Sequence, residues 1–351
     1  MSFSRLDATD FVISADSVTA PAWSTNAPVL TQFFHSTGQN MISGSTVSGF
    51  YLDVYQTGSS LTNAAIQFSI AYGHIYGSGS APLNPLIPQN TPSRITFGQY
   101  RNLIYGDATA NVNFGTGNTS SLDLIAIPID RNRYKGNLFP GTFNLSLKYG
   151  SYAQTLFLTN NYNDVSTVTY LDCGRAYNII SGSNGTAVNS PLLTGAPAKG
   201  YTASGSYGLF LPDIGLILLS PKALSLPTAG GGLAIPFTTS TAASSGWVNQ
   251  DLIYQTINSG SSFTLNSEET ISSDYVFVRV KNAEYNYTSN PSMIDVSGSF
   301  IYPNFVNSPQ TYMTTVGLYN TNNELLAVAK MSKPLVKDFT KESLVRVKLD
   351  W

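Results

Sequence analysis

Charge is what this 351-residue sequence has least of: Asp, Glu, Lys and Arg together make up 11% of it and nearly cancel, to a formal net charge of -2. Soluble domains ordinarily carry about 25%. The shortage excludes the clustered Lys and Arg that neutralise several phosphates, so nucleic acid is not expected as a partner. Cysteine is almost absent too. The single Cys173 rules out an intrachain disulfide, and a lone cysteine usually serves as a small buried residue. The only histidines, His35 and His74, stand far apart with no Cys or carboxylate at ligand spacing. No zinc site or nucleophile-base pair can therefore assemble locally. Long apolar runs are missing as well: the most apolar stretch, 207–226, is broken by Pro212, Asp213, Pro221 and Lys222. It never approaches the ~20 apolar residues of a membrane span, and no membrane insertion is expected. The first residues, Met1 to Asp7, show no basic stretch leading into an apolar one, so a secretory leader is not expected either.

Catalytic signatures are equally scarce. There is no Gly-x-Ser-x-Gly elbow, no phosphate loop and no dinucleotide fingerprint, and the glycines read as turn formers. Glu268 and Glu269 are paired carboxylates of the kind glycoside hydrolysis needs, but neighbours on a strand point to opposite faces. Asn160-Asn161-Tyr162-Asn163-Asp164 is oxygen-rich, yet it lacks the acidic side chains of a calcium loop and reads as an Asx-type turn. The cluster Asp130 to Lys135 reads as a solvated turn. Asn144-Leu145-Ser146 and Asn286-Tyr287-Thr288 match glycosylation acceptors in form only. The expectation is a non-enzymatic chain with no catalytic residue, no metal and no cofactor.

What the sequence has instead is Gly, Ser, Thr and Asn in abundance, with 21 Tyr and 18 Phe. Free monomers stay soluble through surface Lys and Glu, whereas interfaces are depleted in those residues and enriched in aromatics. A subunit of a homo- or hetero-oligomer fits this composition. Strand signals recur along the chain: 28–34, 49–55, 65–72, 122–127, 142–147 and 154–159, then 275–280, 314–319, 324–330 and 343–349. In 65–72, Ile66, Phe68 and Ile70 alternate with Gln67, Ser69 and Ala71, the period of a half-buried antiparallel strand. Near the end, Val345, Val347 and Leu349 alternate with Arg346, Lys348 and Asp350, and Asn320-Thr321-Asn322-Asn323 reads as a tight hairpin.

Between these lie an exposed excursion loop from Gly73 to Pro92, and two soft spans, Gly- and Ser-rich from about Ser181 to Ala203 and again from Gly230 to about Gly246, that read as loops or as segments disordered until bound. The spacing predicts one helix, Asn249 to Ile257, with Asn249 as N-cap. The expected fold class is mainly β, with antiparallel β-sandwich-like modules, long loops and little helix. The expected organisation is an N-terminal β-rich domain at 1–180, a loop-rich connecting region with one short helix at 181–260, and a C-terminal β module at 261–351. The last module holds close to half of the charged side chains and reads as a better solvated unit.

The run Ser272 to Pro291, followed by Asn307 to Tyr319, resembles virion structural proteins of contractile-tailed phages of the T4-like type, particularly those infecting cyanobacteria. The stretches Asn323 to Lys330 and Asp338 to Asp350 carry the sharpest part of the resemblance, and Tyr100 to Leu103 and Gly205 to Asp213 share its character. The resemblance implies a virion component synthesised in the host cytoplasm, with other virion proteins as partners and no catalytic residues to transfer. A tail or baseplate subunit is the leading expectation. A neck or capsid decoration protein and a receptor- or glycan-binding fibre-tip module stay open beside it. The C-terminal module would be the dock, through Tyr285, Tyr287, Tyr302, Phe305, Tyr312 and Tyr319, because rigid aromatics give contact area at low entropic cost; filling a core is their other reading.

Overall fold

The computed structural model describes residues 4–35, 42–43, 46–47, 51–84, 86–87, 90–150, 155–164, 168–188, 199–242, 247–287 and 290–350. Parts of the expected strand at 49–55 and of the three expected loops, together with Thr288, lie outside the described residues. The protein is mainly antiparallel β, with large curled sheets. Its chain forms two compact units, Val18–Glu269 and the pair of segments Met1–Ser17 and Thr270–Trp351. The three-part division expected from the sequence thus differs from the contact pattern, in which the terminal segments join one another and 181–260 belongs wholly to the larger unit.

The larger unit is organised by a sheet of 13 described strands. From edge to edge its main path runs Val29–Leu30, Phe263–Thr264, Asn144–Leu147, Leu156–Asn160, Gly174–Ser183, Gly208–Leu211, Leu216–Leu219, Asp123–Pro128, Ile66–His74, Tyr51–Tyr55 and Phe34–His35. Its pairings are antiparallel; the Leu216–Leu219 strand, for example, meets Gly208–Leu211 through Phe210 opposite Ile217 and meets Asp123–Pro128 through Ile217 opposite Ile127. These three central strands read Asp-Leu-Ile-Ala-Ile-Pro, Gly-Leu-Phe-Leu and Leu-Ile-Leu-Leu, continuous apolar runs rather than alternating ones. Continuous runs mark strands covered on both faces. On one face Leu124, Ala126, Leu209, Leu211, Leu216 and Leu218 pack with Phe97 and Ile104 of helix α1 (Pro92–Tyr105). On the other, Ile125, Ile127, Phe210, Ile217 and Leu219 share a larger core. Phe143 stacks on Phe210 there at 4.9 Å between ring centroids. Each such side chain stabilises the fold by about 1.5–3 kcal/mol on burial.

Helix α1 was not expected from the sequence. Gly98, Thr96 and Ile95 lower its helix propensity, yet Thr91 precedes it, Pro92 opens it, Gly106 closes it at φ 62°, and its apolar face docks on the sheet. Tertiary burial decided what propensity left open. The docking also corrects the reading of Gly73 to Pro92 as exposed: Gly73 to Ser80 are mostly buried, and a Cβ on Gly73 would lie 2.8 Å from the Phe97 backbone nitrogen. Two further helices cover the larger core, α2 (Pro221–Ser225), capped by Ser220, and α3 (Val248–Gly260). The expected helix at 249–257 is α3, but it starts after Trp247, and Asn249 is no N-cap. The Asn249 amide, fully buried, bridges both backbone groups of Thr238 at 2.8 and 3.0 Å.

The span expected to be a loop-rich connector holds two of the most buried strands. Its Gly-rich part is likewise ordered: Leu233 and Ile235 enter the core, and the Tyr207 hydroxyl donates to Gly231 O at 2.6 Å. In the preceding span, Ser181–Ser183 belong to a strand and Thr202 is buried with its hydroxyl bonded to Gly205 O. Trp23 locks a sheet edge, donating from Nε1 to Phe263 O at 2.9 Å.

The smaller unit is built differently. Its sheet has the 270–280 part of the strand Asn266–Val280 at the centre, flanked by the 11–17 part of the strand Phe11–Pro21 and by Ser343–Asp350. The second pairing is antiparallel in unbroken register from Ser273 opposite Asp350 to Val280 opposite Ser343. Beside it stands a separate two-stranded ribbon, Thr311–Tyr319 with Leu325–Lys337. Among the described residues of this unit, Val276, Val280 and Val347 are the buried apolar side chains.

Candidate interaction surface

The ribbon strands are longer than their sequence signals. The turn is set locally: the Asn320 side-chain oxygen accepts from the backbone N–H of Asn322 at 2.9 Å and of Glu324 at 2.8 Å, and Asn323 takes φ 62°. Pro334 falls within the second strand, where it lies in a register shift opposite the Met313–Thr315 step, as a residue without an N–H must. The base of the ribbon is tied by Lys337. Its side chain is fully buried, and its ammonium donates to Asn282 O at 2.9 Å, Asn286 Oδ1 at 2.9 Å and Asp338 O at 2.7 Å. Thr311 adds a hydroxyl bond to Tyr285 O at 2.7 Å. The base is therefore fixed by polar bonds, whereas the faces of the ribbon stay open.

On those faces Leu325, Leu326, Val328 and Leu335 are exposed, Leu326 at 68%. Nearby segments of the unit expose Val296, Phe300, Ile301 and Val306 in addition. None of the six aromatics singled out by the sequence fills a core. Tyr287, Tyr302, Tyr312 and Tyr319 are exposed, and Tyr285 and Phe305 are half-buried. They do not form one patch. Tyr312 and Tyr319 stand seven positions apart on one strand, about 23 Å at the rise of a β-strand. Tyr285 sits at the ribbon base, and Phe305 pairs with Phe300 at 5.6 Å. Sequence reasoning missed the aliphatic half of this surface, reading the module as better solvated because it is charged. The doublet Leu325-Leu326 beside a turn was the available signal.

The three-stranded sheet has a polar outer face. Val345 and Val347 point inward while Arg346 and Lys348 point out, as their alternation predicts. The Arg346 guanidinium lies 5.4 Å from the centre of the Tyr275 ring, and Lys348 bridges Asp350 at 3.0 Å and Asp16 at 3.4 Å. A hydrogen bond from Ser273, then one from Lys348, holds the Asp350 carboxyl below the usual carboxylate range. The outer strand Phe11–Pro21 is exposed or half-exposed along its whole length, with Phe11, Val12 and Ile13 among its side chains.

The remaining sequence candidates do not converge. Glu269 pairs with Lys135 at 3.2 Å, and Glu268 is opposite Asn137 in a strand pairing. The Asp130 to Lys135 cluster folds on itself: Arg131 donates to the carbonyls of Tyr134 and Lys135 and lies over the Tyr134 ring at 4.6 Å. His35 meets Tyr254 edge-on at 4.5 Å. Asn160 and Asn161 are buried, and Asn161 Oδ1 accepts from the Asn178 backbone at 2.9 Å. Among the described residues no group of three His, Cys, Asp or Glu could hold a metal ion. No described helix is long and apolar enough to cross a membrane. Cys173 is half-buried, not buried, and burial pushes its thiol pKa up. The chain matches no protein-family model, no curated protein and no solved structure.

Proposed function

We propose that this chain is a structural subunit of a tailed-phage virion, in or near the tail baseplate, and that the unit formed by Met1–Ser17 and Thr270–Trp351 docks it onto neighbouring virion proteins. One observation carries the reading: among its described residues that unit buries three valines while leaving Leu325, Leu326, Val328, Tyr302, Tyr312 and Val306 in solvent on a ribbon and its flanks. Ordering a residue costs about 1–2 kcal/mol of backbone entropy, and an isolated two-stranded hairpin is marginal in water. Such a ribbon gains its missing burial when a partner covers it. The resemblance of Ser272 to Pro291 and Asp338 to Asp350 to contractile-tail virion proteins supplies the kind of assembly.

The test is infection with phage carrying Leu326→Glu and Val328→Glu, with particles imaged by cryo-electron microscopy. The reading expects normal heads with missing or disordered baseplates. Intact tails on bare or unstable capsids would move the protein to the head or neck, and fully normal, infectious particles would overturn the docking role.

A further inference from the structure

A cleft of about 590 Å³ opens on the larger unit, between the end of the Ile66–His74 strand, the start of the Asp123–Pro128 strand, α2 and the segment 235–239. Its size is that of a small-molecule site. Tyr72 and Asp123 form its floor. Tyr72 is 2% exposed, and its hydroxyl reaches Asp123 Oδ2 at 3.4 Å. Gly79, at φ 83°, makes room for it: a Cβ there would come within 2.5 Å of the Tyr72 ring. Beside them, His74 accepts at Nδ1 from the backbone N–H of Tyr76 at 3.1 Å and of Ser78 at 3.4 Å. Those bonds place the proton on Nε2, and burial lowers the ring's pKa, so the imidazole is neutral.

The rest of the lining has two characters. Ser120, Ser225 and Thr239 bring hydroxyls, the first two already donating to Asn111 Oδ1 and Lys222 O at 3.1 Å each and so open as acceptors, whereas Leu122, Pro236 and Phe237 bring carbon surface. Lys222 also lines the cleft, but its ammonium donates to Gly117 O at 2.8 Å. A phosphate would meet the Asp123 carboxyl and one already engaged cation. A wholly apolar ligand would strip water from Asp123, Tyr72 and His74 without replacing it, at about 1–3 kcal/mol for each group left unpaired. A ligand that presents hydroxyls on its edge and C–H groups on its faces satisfies both characters at once.

We propose that this cleft binds a neutral saccharide, with ring hydroxyls bonded to Asp123, Tyr72 and His74 and a C–H face lying on Phe237. The site is independent of the docking role proposed above, because every lining residue belongs to the larger unit.

Saturation-transfer NMR on the full chain, with glucose, galactose, mannose, N-acetylglucosamine, maltose and cellobiose each in turn, tests it. The expected result is transfer to at least one sugar, with affinity falling about tenfold or more in Asp123→Asn, the loss of one buried charge-assisted partner. Ser120→Trp serves as the second variant, because Ser120 lines the cleft and is exposed, so that an indole there would occupy it. It should abolish transfer while leaving the circular dichroism unchanged. Absence of transfer from all six sugars overturns the proposal, and so does a bound sugar whose affinity is unchanged in Ser120→Trp.

Discussion

The two units of this protein spend their apolar residues in opposite ways. In Val18–Glu269 the central strands carry Leu, Ile and Phe on both faces, and helices α1 and α3 cover them. In the unit of the two terminal segments the same residue types point outward, and among the described residues the interior is closed by three valines and by the buried Lys337 ammonium with its three oxygen acceptors. The difference teaches where each unit finds its stability. The larger one holds it internally, through area removed from water. The smaller one holds its shape by hydrogen bonds and register and leaves its apolar area exposed, where the proposed docking would cover it.

That contrast can be broken most sharply inside the large core. Phe210→Ala removes a fully buried ring stacked on Phe143 and should cost about 3–5 kcal/mol. Chemical denaturation followed by near-ultraviolet circular dichroism would show it as a lower midpoint, and a cost below about 1 kcal/mol would mean the two-sided core is not the stabilising element.

Asp123 makes the next largest effect, of opposite sign. Burial raises its carboxyl to about 6, whereas an unfolded Asp titrates near ~3.9. Its favourable contribution is therefore complete below the unfolded value and is lost as pH rises through about 6. The shift corresponds to about 3 kcal/mol, so Asp123→Asn should stabilise the protein at pH 7.5 by up to that amount and leave it unchanged near pH 4. Thermal melts across this range check the prediction, and a variant equally stable at both pH values would refute it.

In the small unit, Lys337→Met should cost about 1–3 kcal/mol, because buried carbonyl and amide oxygens lose their donor. The damage should stay local. Hydrogen exchange should rise at Thr311, Tyr312 and the Asn282–Asn286 turn while the Leu216–Leu219 strand keeps its protection. Global loss of protection would show that the two units do not differ as argued. The smallest expected effect on stability is that of Leu326→Ser with Val328→Ser, within about 0.5 kcal/mol for exposed positions. The same change should abolish incorporation into particles, measured by mass spectrometry of purified virions, and undiminished incorporation would separate the exposed ribbon from assembly.

Much of this architecture was legible in the sequence where pattern and place coincide. The Asn320 to Asn323 turn and the alternating terminal strand form as their residues predict. Ile66 to Ala71 is a strand too, but not the half-buried one its alternation predicts: Gln67, bonded to Ser24, and Ala71 are buried along with Phe68 and Ile70. Helix α1 was not legible, because Gly98 and β-branched neighbours mask a stripe that only the facing sheet selects. The Gly-rich segment around Gly231 looked soft because burial of Leu233 and Ile235 depends on strands far away in sequence. Of the interaction surface, the aromatic half was visible as residue types, yet its spread along about 23 Å of ribbon was not. The cleft gave no sequence signal at all: His74 read as an isolated histidine, and its companions Tyr72, Asp123 and Phe237 come from three separate segments.

By itself the sequence determined what is local or compositional: a low-charge, mainly β chain, its alternating strands, its tight turn and the exclusion of disulfides and of local metal motifs. Those properties follow from residue type and from interactions spanning a few positions. Only the tertiary structure decided which apolar residues are covered and which are left open. Leu218 and Leu326 are equally apolar, but one is fully buried in the cluster that α1 closes over the sheet while the other meets water. Burial is set by what the rest of the chain places opposite a side chain, and that is a long-range outcome of packing rather than a property of the residue.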